Sequence, residues 1–439
     1  MIKKTSVILS QFKTVWEGIS TSYWFIPVCM MLFSLGLCTL CLSTVNSISI
    51  AEWARLIFPS VSQASAQQIL STIAGAIITA TSIAFSMTLV ALTMASSQFG
   101  PRLLRTFMLD KGTQVVLGLL VSTFLFCLIA LHHLGSDSPL PKSLDLLSGI
   151  SVILAIIDVF SIIYFIHHIA RFIQADEIIH RCYLDCLNDI AVLLPYKRTE
   201  AHRTVPEELL DKSGAQTKLF ARQAGYVQTI NYTGLTSSKT LSGLSGVTVL
   251  VRSGDHIFPG AHIMTIHGDH EYGDDELSEF HQNIILGSRR TPLQDPEFAI
   301  GQLVELALRA LSPGINDPVT AVTCLDKLAA CCIAMEERPF PAAHILNTDT
   351  QLWLSRRIFS LQSVVDTTFD QIRQAGRTHV AIALKILDCL KKMEAHFAVH
   401  HHKLLYQQAQ ATYELVAEES VSERDIQSLK QAYSHFQSV

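Results

Sequence analysis

Four stretches in the N-terminal part of the chain carry almost no charge. Each is long enough to cross a bilayer, which takes roughly 20 consecutive apolar residues. They run from about Tyr23 to Val45, near Ile69 to Ala95 within the uncharged stretch between Arg55 and Arg102, from about Thr113 to Leu134, and from about Leu146 to Ala170. The pattern predicts four transmembrane helices, with Tyr23 and Trp24 as an aromatic anchor at the start of the first.

Past Ala170 the pattern changes. Arg171 to Leu194 reads as a helix continuing out of the fourth span, ended by Pro195 and the polar run Lys197 to Arg203. A linker or loose helix then leads to about Lys218. From Gly225 the period becomes two: Tyr226 to Ile230 and Val247 to Val251 alternate, punctuated by Gly243, Gly246, Gly254 and Gly260. This predicts a small β unit. Helical spacing returns at Glu297 to Leu311, and Ser312-Pro-Gly314 breaks it. Asn316-Asp-Pro318 opens the next helix, with Asp317 as its cap and Pro318 at its first position. That helix runs to about Met335, and a loop over Arg338 to Asn347 precedes three or four helices from Gln351 onward.

The chain thus reads as an α-helical membrane protein of about four transmembrane helices with a mixed α+β cytoplasmic region, in which a small β unit precedes a helical domain. The expected boundaries are a four-helix transmembrane domain at 1–171, a helical extension and linker at 172–219, a small β-rich domain at 220–270, and a helical cytoplasmic domain at 271–439.

Composition agrees with lipid burial. The 439 residues are 49% hydrophobic and 16% charged, with mean hydropathy +0.33. Soluble domains carry about 25% charged residues. A net charge of −5 gives no reason to expect a nucleic-acid partner. Lys3, Lys4 and Lys13 precede the first span, and Arg102, Arg105 and Lys111 fill the second loop against Asp110 alone. Positive residues mark the cytoplasmic side, so the N-terminus and the C-terminal region are expected in the cytoplasm. Of the ten cysteines, Cys29, Cys38, Cys41 and Cys127 lie in apolar stretches, the one C-x-x-C (Cys38 to Cys41) among them, and Cys182 and Cys186 are one helical turn apart, which suits buried thiols in a reducing compartment.

The spans themselves hold the candidate chemistry. Thr72, Gly75, Thr79, Ser82, Ser86, Thr93 and Ser96 lie along one face of the second span. Such a face suits close helix packing or a wet path. Asp158 sits near the middle of the fourth span, with Ser151 and Ser161 on roughly its face. An aspartate there costs about 2.5–3.5 kcal/mol on insertion. It marks an ion or proton path, or it is kept protonated or bonded to a neighbouring hydroxyl. His132–His133 and His167–His168 end the third and fourth spans, as interface residues or as titrating groups.

Elsewhere the signals are weaker. The acidic run Gly268 to Glu276 lacks calcium-loop spacing and fits a solvated turn, and His400 to His402 fit a solvated helix face. Arg289, Arg290 and Arg309, with Asp295 and Glu305, fit an ion-pair network or an anion site. Val251 to Gly260 resembles the hairpin of biotinyl- or lipoyl-type domains, but no lysine has the flanks of a carrier site. No cofactor, metal site or catalytic motif is expected.

Four runs together resemble one family: Ser96-Ser-Gln-Phe-Gly-Pro-Arg-Leu-Leu-Arg105, Tyr164-Phe-Ile-His-His-Ile-Ala170, Gln294-Asp-Pro-Glu-Phe298 and Ala310-Leu-Ser-Pro-Gly-Ile-Asn-Asp-Pro318. They are similar to the bacterial predicted membrane proteins called domain of unknown function 2254. The resemblance implies a bacterial inner-membrane location and brings no established activity. It also directs attention to Arg102 and Arg105, facing lipid phosphate or the soluble region, and to Asn316 and Asp317, either a capped turn or a contact with the membrane half or another subunit. Two functions then fit. One is a homo-oligomeric ion channel or transport-type protein, with Thr79, Ser82, Ser86, Thr93 and Asp158 as its path or packing face and a cytoplasmic regulatory domain. The other is a membrane-anchored sensor or scaffold whose soluble domain binds a ligand or protein. An enzyme ranks last.

Overall fold

The computed structural model describes residues 22–44, 61–99, 110–134, 141–195, 202–203, 214–236, 243–347, 350–419 and 422–437. The chain forms two compact units, Met1–Glu177 and Ile178–Val439.

The first unit is a helical bundle: α1 (Phe25–Thr44), α2 (Gln63–Phe99), α3 (Lys111–Leu134) and α4 (Pro141–Phe172). All four are long and apolar enough to cross a membrane. The central helix is α3, which packs against the other three. Half of its apolar window is buried, against 17–22% for its neighbours. The bundle turns large apolar side chains outward, among them Phe33, Ile83, Leu89, Phe160 and Ile163. Water would oppose that surface and lipid would not. At 37 residues, α2 is about 55 Å long, well beyond the roughly 30 Å of a bilayer's hydrocarbon core.

Close packing around α3 depends on small residues. A Cβ on Gly118 would stand 2.7 Å from Met30 Sδ and 3.1 Å from Pro27 Cα, so α1 and α3 touch through this position. Ser34 Oγ donates to Ser122 O at 2.8 Å and ties the same two helices together. At one end of the bundle, Gln63 and Gln67 both donate to Leu134 O, occupying a carbonyl at the end of α3.

The second unit opens with α5 (Ala175–Leu193), whose first residues belong to the preceding unit. It is a separate helix: the backbone leaves helical geometry at residues 173–174. The continuous helix expected from Arg171 to Leu194 is therefore interrupted. No proline or glycine marks the break.

A β region follows: β1 (His202–Arg203), β2 (Ala215–Phe220), β3 (Gly225–Ile230), the short helix α6 (Tyr232–Thr236), β4 (Leu244–Val249), β5 (His256–Ile257), β6 (His262–Gly268), α7 (Asp274–His281) and β7 (Ile284–Gly287). Then come α8 (Pro296–Ala310), α9 (Pro318–Glu336), β8 (His344–Asn347), β9 (Trp353–Arg356), α10 (Leu361–Ala375), α11 (Val380–Glu394), α12 (His402–Glu419) and α13 (Glu423–Gln437). The large sheet has the order β1-β8-β9-β4-β6-β2 and the small one β5-β3-β7. Val227, Val247, Val249, Met264, Ile266, Ile284, Ile345 and Leu354 share the core that joins the two sheets.

Further features of this unit depart from the sequence expectation. Strands β8 and β9 lie where a loop and the start of a helix are expected. Strand β9 runs parallel to β4, with Val247 opposite Leu354. The acidic run is also more than a turn, since α7 begins at Asp274 and Glu276 Oε2 accepts from Gly273 N at 3.0 Å.

The hairpin-like segment from Val251 to Ile263 carries the chain between sheets. Strand β5 pairs with β3, whereas β6 pairs with β2 and β4. Gly254 and Gly260, at φ +93° and +80°, supply left-handed backbone that glycine adopts without Cβ strain.

The helical layer packs α8 on α9 and α10, and α11 on α9, α12 and α13. Helix α9 meets the length and hydropathy of a membrane span. Here it is a core helix of the second unit, with Cys324, Leu325, Leu328, Cys331, Cys332 and Met335 buried. Cys182, Cys186 and Cys389 are buried too, and all are free thiols. Burial pushes the Cys332 thiol up to about 12, so it packs as a small hydrophobe and not as a nucleophile.

Candidate membrane-embedded site

The inward face of α4 is set by a 4-3 repeat. Leu147, Ser151, Asp158, Phe165 and Ile169 are all buried, and they fall on the seam that such a period places against neighbouring helices. Asp158 is therefore held inside the bundle by the same repeat that holds its apolar neighbours. It is 0% exposed. Thr123 and Cys127 of α3 stand beside it. The Thr123 hydroxyl faces the carboxyl without the geometry of a regular hydrogen bond. Both carboxyl oxygens and Thr123 Oγ1 are buried without a partner among the described residues. A buried polar group lacking a partner costs roughly 1–3 kcal/mol, so this position is unfavourable for the bundle.

Serine hydroxyls along the same interior are satisfied locally. Ser151 Oγ donates to Ser148 O at 2.7 Å, and Ser122 Oγ to Gly118 O at 2.6 Å. Asp158 and Thr123 stand apart from them in making no such bond.

The second span turns a different face inward. Ala66, Leu70, Ala74, Ile77, Thr81, Ala84, Ala91 and Ala95 are buried, an alanine-rich seam that lets helices approach closely. The hydroxyl stripe is offset from this seam by two residues, about 200° around a helix of 3.6 residues per turn. Thr72, Gly75, Thr79, Ser82, Ser86 and Thr93 are accordingly exposed on the outside of the bundle. The structure does not bring them to Asp158. Thr79, Ser82 and Thr93 bond back to Gly75 O, Ile78 O and Val90 O, which satisfies those hydroxyls without a neighbour. Thr72 borders an apolar groove of about 550 Å³ between α2 and α4, with Gln68 and Val159.

At one end of the bundle, His168 Nε2 lies 2.7 Å from Asp110 Oδ2. The His168 ring stacks on Tyr164 with centroids 5.4 Å apart. It lies over Gly112, where a Cβ would come within 2.9 Å of Nε2. His168 is thus built into the bundle, whereas His167 and His132 are exposed. Arg102 and Arg105 lie outside the described residues.

In the second unit the Ser312–Asp317 turn closes on itself. Asn316 takes φ +49°, a left-handed conformation asparagine tolerates, and Asp317 N donates to Ala310 O at 2.7 Å. Asp317 accepts from Thr320 N at 3.1 Å and from Thr320 Oγ1 at 2.5 Å. These bonds hold its carboxyl below the ordinary value. Ile315 and Val319 beside it are exposed.

The Gln294-Asp-Pro-Glu run starts α8. Asp295 is 0% exposed, caps Glu297 N, and pairs with Arg290 through two bonds. Glu297 takes both terminal nitrogens of Arg252 at 3.2 and 3.0 Å. The Arg252 guanidinium lies 4.3 Å over the Phe359 ring. Of the expected network, Arg290 and Asp295 belong here, while Arg309 pairs with Glu305 along α8. Sequence reasoning missed Arg252 and Glu297, which stand 45 positions apart. His401 and His402 are engaged as well, facing Glu336 and Glu394 at 3.3 and 3.7 Å.

The chain is similar to uncharacterized proteins of Mycobacterium tuberculosis and Mycobacterium bovis. In each case identity is 30% over 347 residues, covering 76% of this chain and 64% of the relative. The chain therefore spans less than two thirds of the length of these relatives. No solved structure matches it. The family model for predicted membrane proteins called DUF2254 matches residues 20–392, which takes in the four apolar helices, the β region and the helical layer through most of α11. By that match, the protein belongs to the DUF2254 family of predicted membrane proteins.

Proposed function

We propose that the protein is a channel- or transport-type membrane protein in which Asp158 handles an ion or a proton. Copies would associate through the exposed face of α2, with the second unit as a regulatory domain. The observation that carries this reading is Asp158 itself: a fully buried carboxyl, central in an apolar bundle, with neither oxygen bonded among the described residues. Groups of this kind lie on ion and proton paths. The exposed hydroxyl stripe supports association of copies, since small and hydroxylated faces suit helix contacts in lipid.

The positive charge at Lys3, Lys4, Lys13 and Lys111 supports a cytoplasmic N-terminus and C-terminal region, in a bacterial inner membrane. Protease protection of the C-terminal region in sealed vesicles of known orientation tests that placement.

Flux of protons and of monovalent ions through the purified protein in liposomes tests the function, with subunit number measured on the same sample. The expected result is flux from a defined oligomer that falls at least tenfold in Asp158→Asn. A folded protein that passes neither protons nor ions would overturn it and favour the reading as a membrane-anchored sensor. A ligand-sized cavity in the second unit supports that second reading.

A further inference from the structure

The buried hydroxyls of the membrane bundle fall into two kinds. Ser34, Thr81, Ser122 and Ser151 each donate to a backbone carbonyl, at 2.8, 2.7, 2.6 and 2.7 Å. Thr123 is buried as deeply. A threonine in a helix ordinarily donates to the carbonyl one turn back. Thr123 Oγ1 forgoes that bond and stays beside the Asp158 carboxyl, with no partner among the described residues. Asp158 stands about 20 Å along α4 from the nearer end of that helix, at about 1.5 Å per residue.

A hydroxyl serves a carboxyl in either protonation state. It donates to a carboxylate and accepts from a carboxylic acid. A metal cation asks for more. Calcium and magnesium ions take about six or more oxygen ligands. The two Asp158 oxygens and Thr123 Oγ1 supply three, and the carbonyls of the surrounding helices are spent on helix hydrogen bonds. Cys127 stands beside the carboxyl, with Cys38 near it, and thiols suit soft metals and not hard ions. A soft metal has no site either: among the described residues, no three His, Cys, Asp or Glu side chains are placed to hold an ion.

We infer that the cargo of Asp158 is the proton and not a metal ion. This rests on the transport reading above and narrows it. The exchange balances without a further reactant. When the site opens to one side, a hydronium ion gives its proton to an Asp158 oxygen, an O–H bond forms, and water is left. When it opens to the other side, that bond breaks, the proton passes to water, and the electron pair stays on the carboxylate. Between the two, the closed bundle accommodates the neutral acid, because burying an isolated charge costs far more than burying a neutral polar group.

The test uses the full chain in sealed liposomes. Internal pH is followed with a trapped dye, and uptake of radioactive sodium, rubidium and calcium is measured in parallel. Proton flux is expected, reduced about tenfold or more in Asp158→Asn and partly retained in Asp158→Glu, with no uptake of the three cations beyond that of empty liposomes. Cation uptake that depends on Asp158 overturns the inference and leaves the transport reading standing. Proton flux that is unchanged in folded Asp158→Asn also overturns it. Folded protein silent toward protons and cations alike overturns the transport reading, and the inference with it. The wild type gives a check that needs no variant. Its proton flux is expected to be the same in sodium, rubidium or choline chloride, and to be unaffected by added calcium. Slowing by any of the metal ions in competition with protons would show that a cation occupies the site, and would overturn the inference.

Discussion

Gln294 grips the backbone of Ile230 from both sides. Its Oε1 accepts from Ile230 N at 2.8 Å, and its Nε2 donates to Ile230 O at 3.1 Å. One amide thereby completes the hydrogen bonding at the end of β3 and anchors the residue just before the α8 cap. Only a primary amide side chain offers one donor and one acceptor in this geometry. Gln294→Leu would leave both backbone groups unpaired, and each such loss costs roughly 1–3 kcal/mol. The expected result in denaturant unfolding of the second unit is a lower midpoint, with Gln294→Glu intermediate because it keeps the acceptor.

Gly254 fixes the neighbouring ion pair. It sits at φ +93°. A Cβ there would lie 2.5 Å from Asp295 Oδ2 and 2.9 Å from Arg290 Nε. Gly254→Ala therefore combines backbone strain of about 1–3 kcal/mol with displacement of a buried ion pair. A loss well above that of an ordinary exposed glycine is expected in thermal unfolding. Ala at Gly260, where φ is +80° and no atom lies within 4 Å, isolates the backbone share.

The parts legible in the sequence are those whose causes are local. Four uninterrupted apolar runs announce α1 to α4, and Asp317 followed by Pro318 announces α9 to the residue. The parts that were not legible depend on distant partners. Ile345 and Leu354 become strand residues because β4, about a hundred positions earlier, presents its edge to β9. Arg252 gains its role from Glu297 in the same way. On α2 the hydroxyl period was visible, and so were the alanines; only α3 and α4 decide that the alanines turn inward. Thr123, a polar residue in an apolar run, was the available signal for the neighbourhood of Asp158.

Asp317 gives a pH prediction. Its carboxyl is held below the ordinary value, chiefly by the hydrogen bonds from Thr320, against a smaller opposing effect of burial. A carboxylate whose folded value is depressed contributes fully above its unfolded value, near 3.9. That contribution is lost as pH falls through the lower folded value. The α9 cap should thus be intact at pH 5 and weaken below about pH 4. Asp317→Ala is expected to cost about 0.5–2 kcal/mol at pH 7 and less at pH 2.5, measured by hydrogen exchange at the first turn of α9. An equal effect at both values would mean that the carboxylate charge has no part in the cap.

Asp158 separates structure from function more sharply than any other position. A side chain kept for packing should be missed when it is removed. A buried carboxyl without a partner should not be, because an apolar side chain of similar size escapes the burial penalty of roughly 1–3 kcal/mol. Asp158→Leu is therefore expected to leave the thermal stability of the bundle in detergent unchanged or raised, while abolishing flux in liposomes. Thr123→Val, which removes the hydroxyl facing the carboxyl, should act in the same direction on stability with a smaller effect on flux. If Asp158→Leu instead lowers stability as a large core truncation does, by about 2–5 kcal/mol, the carboxyl has a structural partner. The bundle interior would then lose its claim to a path.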